Sequence, residues 1–154
     1  ATAPRILVSG TPMALPNWKL HNVVENSGAI VVNDESCIGT RYFKDLMDEG
    51  EATLDGLLEK LTDRYMKIDC SCFTPNDERP LQVVKEARES NAQGVIHYSL
   101  QFCHTYNIEA IKVREACEKA GIPFIAIESD YSPEDIGQIQ TRVEAFLEQI
   151  QARA

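Results

Sequence analysis

Cysteines are the residues of this chain best suited to chemistry, and their placement is uneven. Of five in 154 residues, Cys37 follows the apolar run 29–35 and Cys103 follows the run 94–100, with the pair Cys70-Ser-Cys72 between them in sequence. Thiolates are the preferred protein ligands of soft metals and of iron–sulfur clusters. In a parallel α/β sheet, ligands bind outside the carboxyl ends of the strands, so thiols placed just past two strand ends are expected on one rim. In a chain of intracellular character, converging thiols point to a metal or cluster before they point to disulfides. If 70–72 is extended, both of its thiols face one side, and geometry alone does not choose between Cys70 and Cys72. Cys117 falls in line with Val113 and Ala120, the spacing of a buried helix face, and reads as core.

The histidines and carboxylates divide in the same way. His104 directly follows Cys103 and is the histidine placed for proton transfer. His97 lies mid-strand between Ile96 and Tyr98 and reads as a core histidine, and His21 as an exposed residue of the first helix. Glu128 and Asp130 close the last strand and are rim candidates for handling protons.

The elements that must position these groups alternate between two periods. Short apolar runs predict parallel strands over 5–10, 29–34, 94–100 and 123–128. Between them, Pro16 opens a helix in which Leu20, Val23 and Val24 share a face and Gly28 is the stop. A short helix is expected over 42–47. A longer one starts near Thr53, with Leu54, Leu57, Leu58, Leu61 and Tyr65 on one stripe. Further helices carry Leu81, Val84 and Ala87, and then Ile108, Ile111 and Val113, the latter capped by Asn107 and ending at Gly121. Ser132-Pro-Glu-Asp135 resembles a capping box that opens a last helix burying Ile136, Ile139, Val143, Phe146, Leu147 and Ile150.

Alternating strands and helices imply right-handed crossovers. The expected fold is a flavodoxin-like three-layer α/β sandwich, a four-stranded parallel sheet of order 2-1-3-4 with its switch point between strands 1 and 3. The site is then expected from 10–13, 34–41, 99–106 and 128–132. The connection 36–93 exceeds a standard crossover, and such excess at a strand rim tends to be functional.

Bulk properties narrow the function. One domain over 1–154 suits the length, and a start on a strand without methionine reads as a segment of a longer protein. A net charge of −9 argues against nucleic-acid partners, because no basic stripe displaces counterions. No apolar run reaches the roughly 20 residues of a membrane span. No charged n-region precedes an apolar core, so no signal peptide is expected and a cytoplasmic location is the default. Glycine-rich phosphate loops are missing, and so are the short paired knuckles of structural zinc.

Five stretches are more specific: 9–19 (Ser-Gly-Thr-Pro-Met-Ala-Leu-Pro-Asn-Trp-Lys), 34–43 with Asp-Glu-Ser-Cys37, 69–79 with Asp-Cys70-Ser-Cys72, 101–109 with Gln-Phe-Cys103-His-Thr-Tyr-Asn-Ile-Glu, and 127–131. Together they resemble the 2-hydroxyacyl-CoA dehydratase and benzoyl-CoA reductase superfamily, most closely the C-terminal cluster-binding domain of its double-cubane-cluster branch. The resemblance implies a [4Fe–4S] cluster held by Cys37, Cys70 and Cys103, with Cys72 in reserve for Cys70. It leaves one iron for a non-protein ligand: substrate in the dehydratases and reductases, or a sulfide bridging two cubanes in the double-cubane branch. Gly39 N–H, Ser99, Gln101 and Asn76 are then hydrogen-bond donors to the cluster, and His104 and Glu128 the groups that move protons. Also implied are low-potential electron transfer fed by an ATP-dependent iron–sulfur activator, a second cluster-binding domain, and a homodimer in the full-length protein. Two other readings stand beside this one. The first is a domain of a 2-hydroxyacyl-CoA dehydratase or benzoyl-CoA reductase facing an acyl-CoA, which the acidic balance disfavours. The second is a cluster-free flavodoxin-like binding or assembly domain.

Overall fold

In the computed structural model, which describes residues 3–50 and 53–153, four parallel strands carry the chain: β1 (Arg5–Gly10), β2 (Ile30–Glu35), β3 (Gly94–Leu100) and β4 (Phe124–Ser129). They pair in the order β2-β1-β3-β4, the flavodoxin-like order that the alternating sequence pattern predicts. Among the described residues five helices connect them, α1 (Lys19–Asn26), α2 (Thr40–Phe43), α3 (Leu54–Met66), α4 (Glu78–Glu89) and α5 (His104–Lys119), and α6 (Ile136–Gln151) follows the last strand. The long connection 36–93 holds α2, α3 and α4.

Side-chain alternation along β1 builds the two cores. Ile6 and Val8 join Leu20, Val23 and Val24 of α1 and Ile139, Val143, Phe146 and Leu147 of α6. Leu7 points the other way, with Val95 of β3, onto Val83 and Ala87 of α4 and Val113 and Cys117 of α5. Each large aliphatic side chain buried in these layers contributes about 1.5–3 kcal/mol. Cys117 is fully buried, as its spacing predicts, and burial pushes its thiol up to about 12.

Glycine ends the first strand for a steric reason. Gly10 has φ +120, and a Cβ there would stand 2.0 Å from the Tyr98 carbonyl oxygen. Only glycine allows β1 and β3 to close that tightly at the rim.

Helix beginnings depart from expectation. The 15–18 stretch is a turn, with Asn17 N–H on Ala14 O and Trp18 N–H on Pro16 O, each 2.9 Å, so α1 starts at Lys19 rather than Pro16. The short helix is Thr40–Phe43, not 42–47. α5 starts at His104, with Cys103 as its N-cap, which puts Asn107 inside the helix. The 132–135 capping box does not form. Asp135 is the N-cap of α6 without a side-chain cap bond, because its carboxylate is taken by Lys19 Nζ (2.7 Å) and Ser129 Oγ (2.6 Å). By contrast α3 starts where expected, just after Thr53, whose side chain caps it by accepting from Gly56 N–H. Its apolar stripe, however, stays uncovered: Leu54 is 73 % and Leu58 51 % exposed. Leu81, Ile108 and Ile111 also face outward.

Candidate functional site

All four strand ends open on one rim, and the chain turns sharply there. Thr11 zips β1 to β3, with its N–H on Tyr98 O (2.9 Å) and its hydroxyl accepting from Leu100 N–H (3.0 Å). After β2, Asp34 accepts from Ser36 N–H (3.0 Å), and Gly39 N–H reaches Ser36 O (3.1 Å). A Cβ at Gly39 would stand 2.0 Å from Asp34 O, so glycine is required to fold this turn around Cys37. After β3, Phe102 takes φ +66, a left-handed conformation that costs a non-glycine residue roughly 1–2 kcal/mol. That twist lets Cys103 N–H bond Leu100 O (3.0 Å) and become the first residue of the α5 junction. Backbone strain of this kind gathers at functional sites.

The thiols arrive on these turns. Cys37, Cys70 and Cys103 are half-buried, and Cys72 is exposed. Residues 70–73 are not extended. Cys70 N–H bonds Ile68 O (2.8 Å) and Phe73 N–H bonds Cys70 O (3.0 Å), a tight turn. Cross-links then join the three segments. The Cys37 Sγ lies 3.4 Å from both Arg41 Nη1 and the Tyr106 hydroxyl of α5. Ser71 Oγ donates to Thr105 Oγ1 (3.2 Å), and Thr105 Oγ1 lies 3.8 Å from Cys103 Sγ. Asn76 Nδ2 donates to Cys70 O (3.0 Å). Among the described residues, no three His, Cys, Asp or Glu side chains are gathered tightly enough to hold a single metal ion.

The two middle thiols are electrostatically unequal. Burial would raise Cys70, but hydrogen bonds from Cys72 and the charges of Arg41 and Arg79 bring it below the usual thiol range. Cys72 is raised, chiefly by its hydrogen bond to Cys70.

Beneath the thiols lies an ion network that the sequence alone did not disclose. Glu35, Arg41 and Arg79 are at most 1 % exposed. Arg41 grips Glu35 with Nε (2.8 Å to Oε1) and Nη2, and Nη2 also reaches Glu35 O (2.8 Å). Arg79 Nη2 donates to the second carboxylate oxygen of Glu35 (2.9 Å) and to Ser9 Oγ (3.1 Å), while Nη1 pairs with Glu109. Asn76 closes the chain onto Glu109 (2.7 Å). Two guanidinium and two carboxylate groups balance, as buried charges must. One network thus reaches α2, α4, α5 and the Cys70 turn. Burial pushes the Glu109 carboxyl up against the pull of Arg79. The Tyr106 hydroxyl is raised by burial, against the nearby Arg41 charge.

His97 is buried, its Nε2 3.2 Å from Tyr106 O and its Nδ1 without a partner. Burial first, then the Arg79 charge, hold it down to about 4, so it is neutral and its proton sits on Nε2. His21 is not free on the surface as expected. It is half-buried, 3.4 Å from Asp34 Oδ2 and edge-on to Trp18.

The other rim candidates divide between two sides. His104 is exposed on the first turn of α5 beside Cys103. Glu128 and Ser99 instead line a cleft of about 320 Å³ with Arg114 of α5 and Arg142 of α6. Among the described residues, no hydrogen bond or ion pair joins Glu128 to the thiol loops. The Gly39 N–H is spent on Ser36, and the Asn76 amide on Cys70 O and Glu109. Asp130 gives its carbonyl oxygen to Lys19 and its carboxylate to Ser132 N–H.

Comparison with known proteins adds a second, independent line. Residues 1–150 match the family described as 2-hydroxyglutaryl-CoA dehydratase, D-component. The putative dehydratase subunit YjiM of Escherichia coli (strain K12) is 38 % identical over 148 residues, 96 % of this chain and 38 % of that protein. The (R)-phenyllactyl-CoA dehydratase beta subunit of Clostridium sporogenes is 28 % identical over 130 residues, 84 % of this chain and 34 % of that protein. The beta subunit of (R)-2-hydroxyglutaryl-CoA dehydratase from Acidaminococcus fermentans is 28 % identical over 151 residues, with coverage of 95 % and 38 %. The chain therefore spans little more than a third of the length of these curated relatives.

Proposed function

The chain belongs to the 2-hydroxyglutaryl-CoA dehydratase D-component family, and we propose that it is an iron–sulfur domain whose rim thiols Cys37, Cys70 and Cys103 ligate a [4Fe–4S] cluster. The observation that carries this reading is that three thiol-bearing turns, far apart in sequence, are cross-linked at one rim, those of Cys37 and Cys70 to the buried ion network and that of Cys103 through exposed hydroxyls. Arg41 and Tyr106 hold Cys37, Asn76 holds the Cys70 turn, and Ser71–Thr105 couples that turn to Cys103. The donor set suits the group. A cubane presents its irons at separate corners, so its ligands stand farther apart than those of one ion, and its thiolates need positive charge nearby. Arg41 and Arg79 supply that charge. Of the middle pair, Cys70 is the thiol their charges favour as thiolate, and Cys72 is left for solvent.

When bound, such a cluster supplies one-electron chemistry at low potential. The chain's own residues ligate it, shield one side of it and fix the sulfur geometry, while His104 stands at the exposed edge where a proton can be exchanged. In this reading the full protein contributes a second cluster-binding domain, assembles as a homodimer in the cytoplasm, and is charged by an ATP-dependent iron–sulfur activator. The double-cubane arrangement, with a sulfide shared between two domains, is the form favoured by the 101–109 stretch. A second reading is a component of a 2-hydroxyacyl-CoA dehydratase. It is favoured by the names of the relatives, two of which are beta subunits of such enzymes.

The test is iron, acid-labile sulfide and a visible spectrum after strictly anaerobic reconstitution. We expect about four iron and four sulfide per chain, lost in Cys37→Ala/Cys103→Ala and in Cys70→Ala but retained in Cys72→Ala. A folded, colourless, iron-free wild type overturns the reading and leaves a cluster-free binding or assembly domain.

A further inference from the structure

Cys37 differs from the other rim thiols in what touches its sulfur. Arg41 Nη1 lies 3.4 Å from Cys37 Sγ and 2.9 Å from the Tyr106 hydroxyl, which is itself 3.4 Å from the same sulfur. A guanidinium has no lone pair to offer, so the Tyr106 oxygen accepts from Arg41 and keeps its own proton for the sulfur. Cys37 therefore receives two hydrogen bonds, one from a cation and one from a phenol polarised by that cation. Among the described residues, Cys103 has only the exposed Thr105 hydroxyl at 3.8 Å, and Cys70 takes its hydrogen bonds from the exposed Cys72 rather than from a buried cation.

Neither donor depends on the sulfur for its position. Arg41 is pinned through Nε and Nη2 by Glu35, and its side chain has no exposure. Tyr106 is 5 % exposed, with the Arg79 guanidinium 4.9 Å from the centre of its ring and its carbonyl on His97. Donors held this way reorganise little when charge arrives, and burial spares them from screening.

We propose that Arg41 and Tyr106 form a two-donor clamp on Cys37 that makes this one thiolate the potential-setting ligand of the site. The proposal rests on the cluster reading above. Reduction adds negative charge that spreads onto the ligand sulfurs, so donors aimed at a sulfur favour the reduced form and raise the potential. Both residues act through Cys37 and are positioning residues.

The experiment is a redox titration monitored by electron paramagnetic resonance on the anaerobically reconstituted chain, with iron content and melting temperature measured on the same samples. Tyr106→Phe removes one donor and keeps the ring. It should retain wild-type iron and lower the midpoint by a tenfold change in the one-electron equilibrium, about 59 mV. Arg41→Lys should move it in the same direction, because lysine lacks the planar fork whose spaced donors let Arg41 hold Glu35 and still reach the sulfur. Thr105→Val, at Cys103, should move it by less than half as much. Full iron with an unmoved midpoint in Tyr106→Phe overturns the clamp, and so does an equal shift in Thr105→Val. Loss of iron in Tyr106→Phe overturns it too, assigning Tyr106 to ligation geometry. A wild type that takes up no iron overturns the cluster reading itself, whereas an iron-loaded wild type with unmoved variants overturns the clamp alone.

Discussion

Two buried cations stand at the same rim and are used differently. Lys19 Nζ, on the first turn of α1, donates to Asp130 O, Ser132 O and Asp135 Oδ1, each at 2.7 Å. An ammonium has three donors, and all three are consumed in closing the loop after β4 onto α1. Arg41 spends Nε and Nη2 on Glu35 and keeps Nη1 for Tyr106 and Cys37. The difference lies in the leftover donor. A buried cation whose donors are all exhausted by one distant loop is a strut, whereas a planar five-donor guanidinium can be anchored and still present a hydrogen bond to a neighbouring group.

Breaking the anchored side should cost most. Arg79→Met removes the shared partner of Glu35 and Glu109 and leaves two buried carboxylates short of charge. We expect a loss of about 3–5 kcal/mol, read from urea unfolding, together with reduced iron uptake. A loss below about 1 kcal/mol would mean that the network is not what holds the thiol turns.

Acid should find the same side first. His97 faces Arg79, Glu35 and Arg41 and is held down to about 4 in the fold, against about 6.5 unfolded. Between those values the unfolded chain binds the proton and the folded one does not, so stability rises with pH there. Full stability is present above about pH 6.5, and about 3 kcal/mol is lost on descent to pH 4. Unfolding measured across that window, with His97→Gln flattening the slope, checks the assignment.

The Lys19 strut should break at lower cost and without touching the thiols. Lys19→Met removes three hydrogen bonds but leaves Asp135 partly in solvent, so about 2 kcal/mol is expected, with iron uptake equal to wild type. If iron falls as it does in Arg79→Met, the two cations are not functionally distinct.

How much of this was readable in advance follows from what each signal encodes. β1 and β3 are buried on both faces and therefore appear as largely apolar runs with sharp ends, which is why their bounds match the structure. The more exposed β2 and β4 shift by one residue. Helix starts failed where a side chain had a distant claim on it. Asp135 caps nothing because Lys19, far away in sequence, takes its carboxylate. The Leu54–Leu58 stripe shows that periodicity reports an amphipathic face and not what covers it. Thiols were legible because residue type and strand-end placement are both local. Glu35, Arg41, Arg79 and Glu109 were not singled out, although each lies within or near a cysteine-bearing stretch, because an ion partner is chosen by tertiary placement. Glu128 shows the converse: a rim position does not say which face of the sheet a side chain serves.

The smallest effect isolates the strut from the anchor. Ser129→Ala deletes the 2.6 Å hydrogen bond to Asp135 Oδ2, worth about 1 kcal/mol at neutral pH. Burial pushes the Asp135 carboxyl up, but hydrogen bonds from Lys19 and Ser129 more than offset this and hold it below its ordinary 3.8. A depressed carboxyl contributes stability that is complete above the unfolded pKa and is lost as pH falls through the lower folded one. The Ser129→Ala difference should therefore persist through the whole interval in which His97 drains stability from the thiol side. It should fade only in stronger acid. Unfolding curves of wild type and Ser129→Ala at about pH 7, 5 and 3 decide it. A difference already gone at pH 5 would mean that Asp135 is not the group on which the strut closes, and the contrast with Arg41 would lose its physical basis.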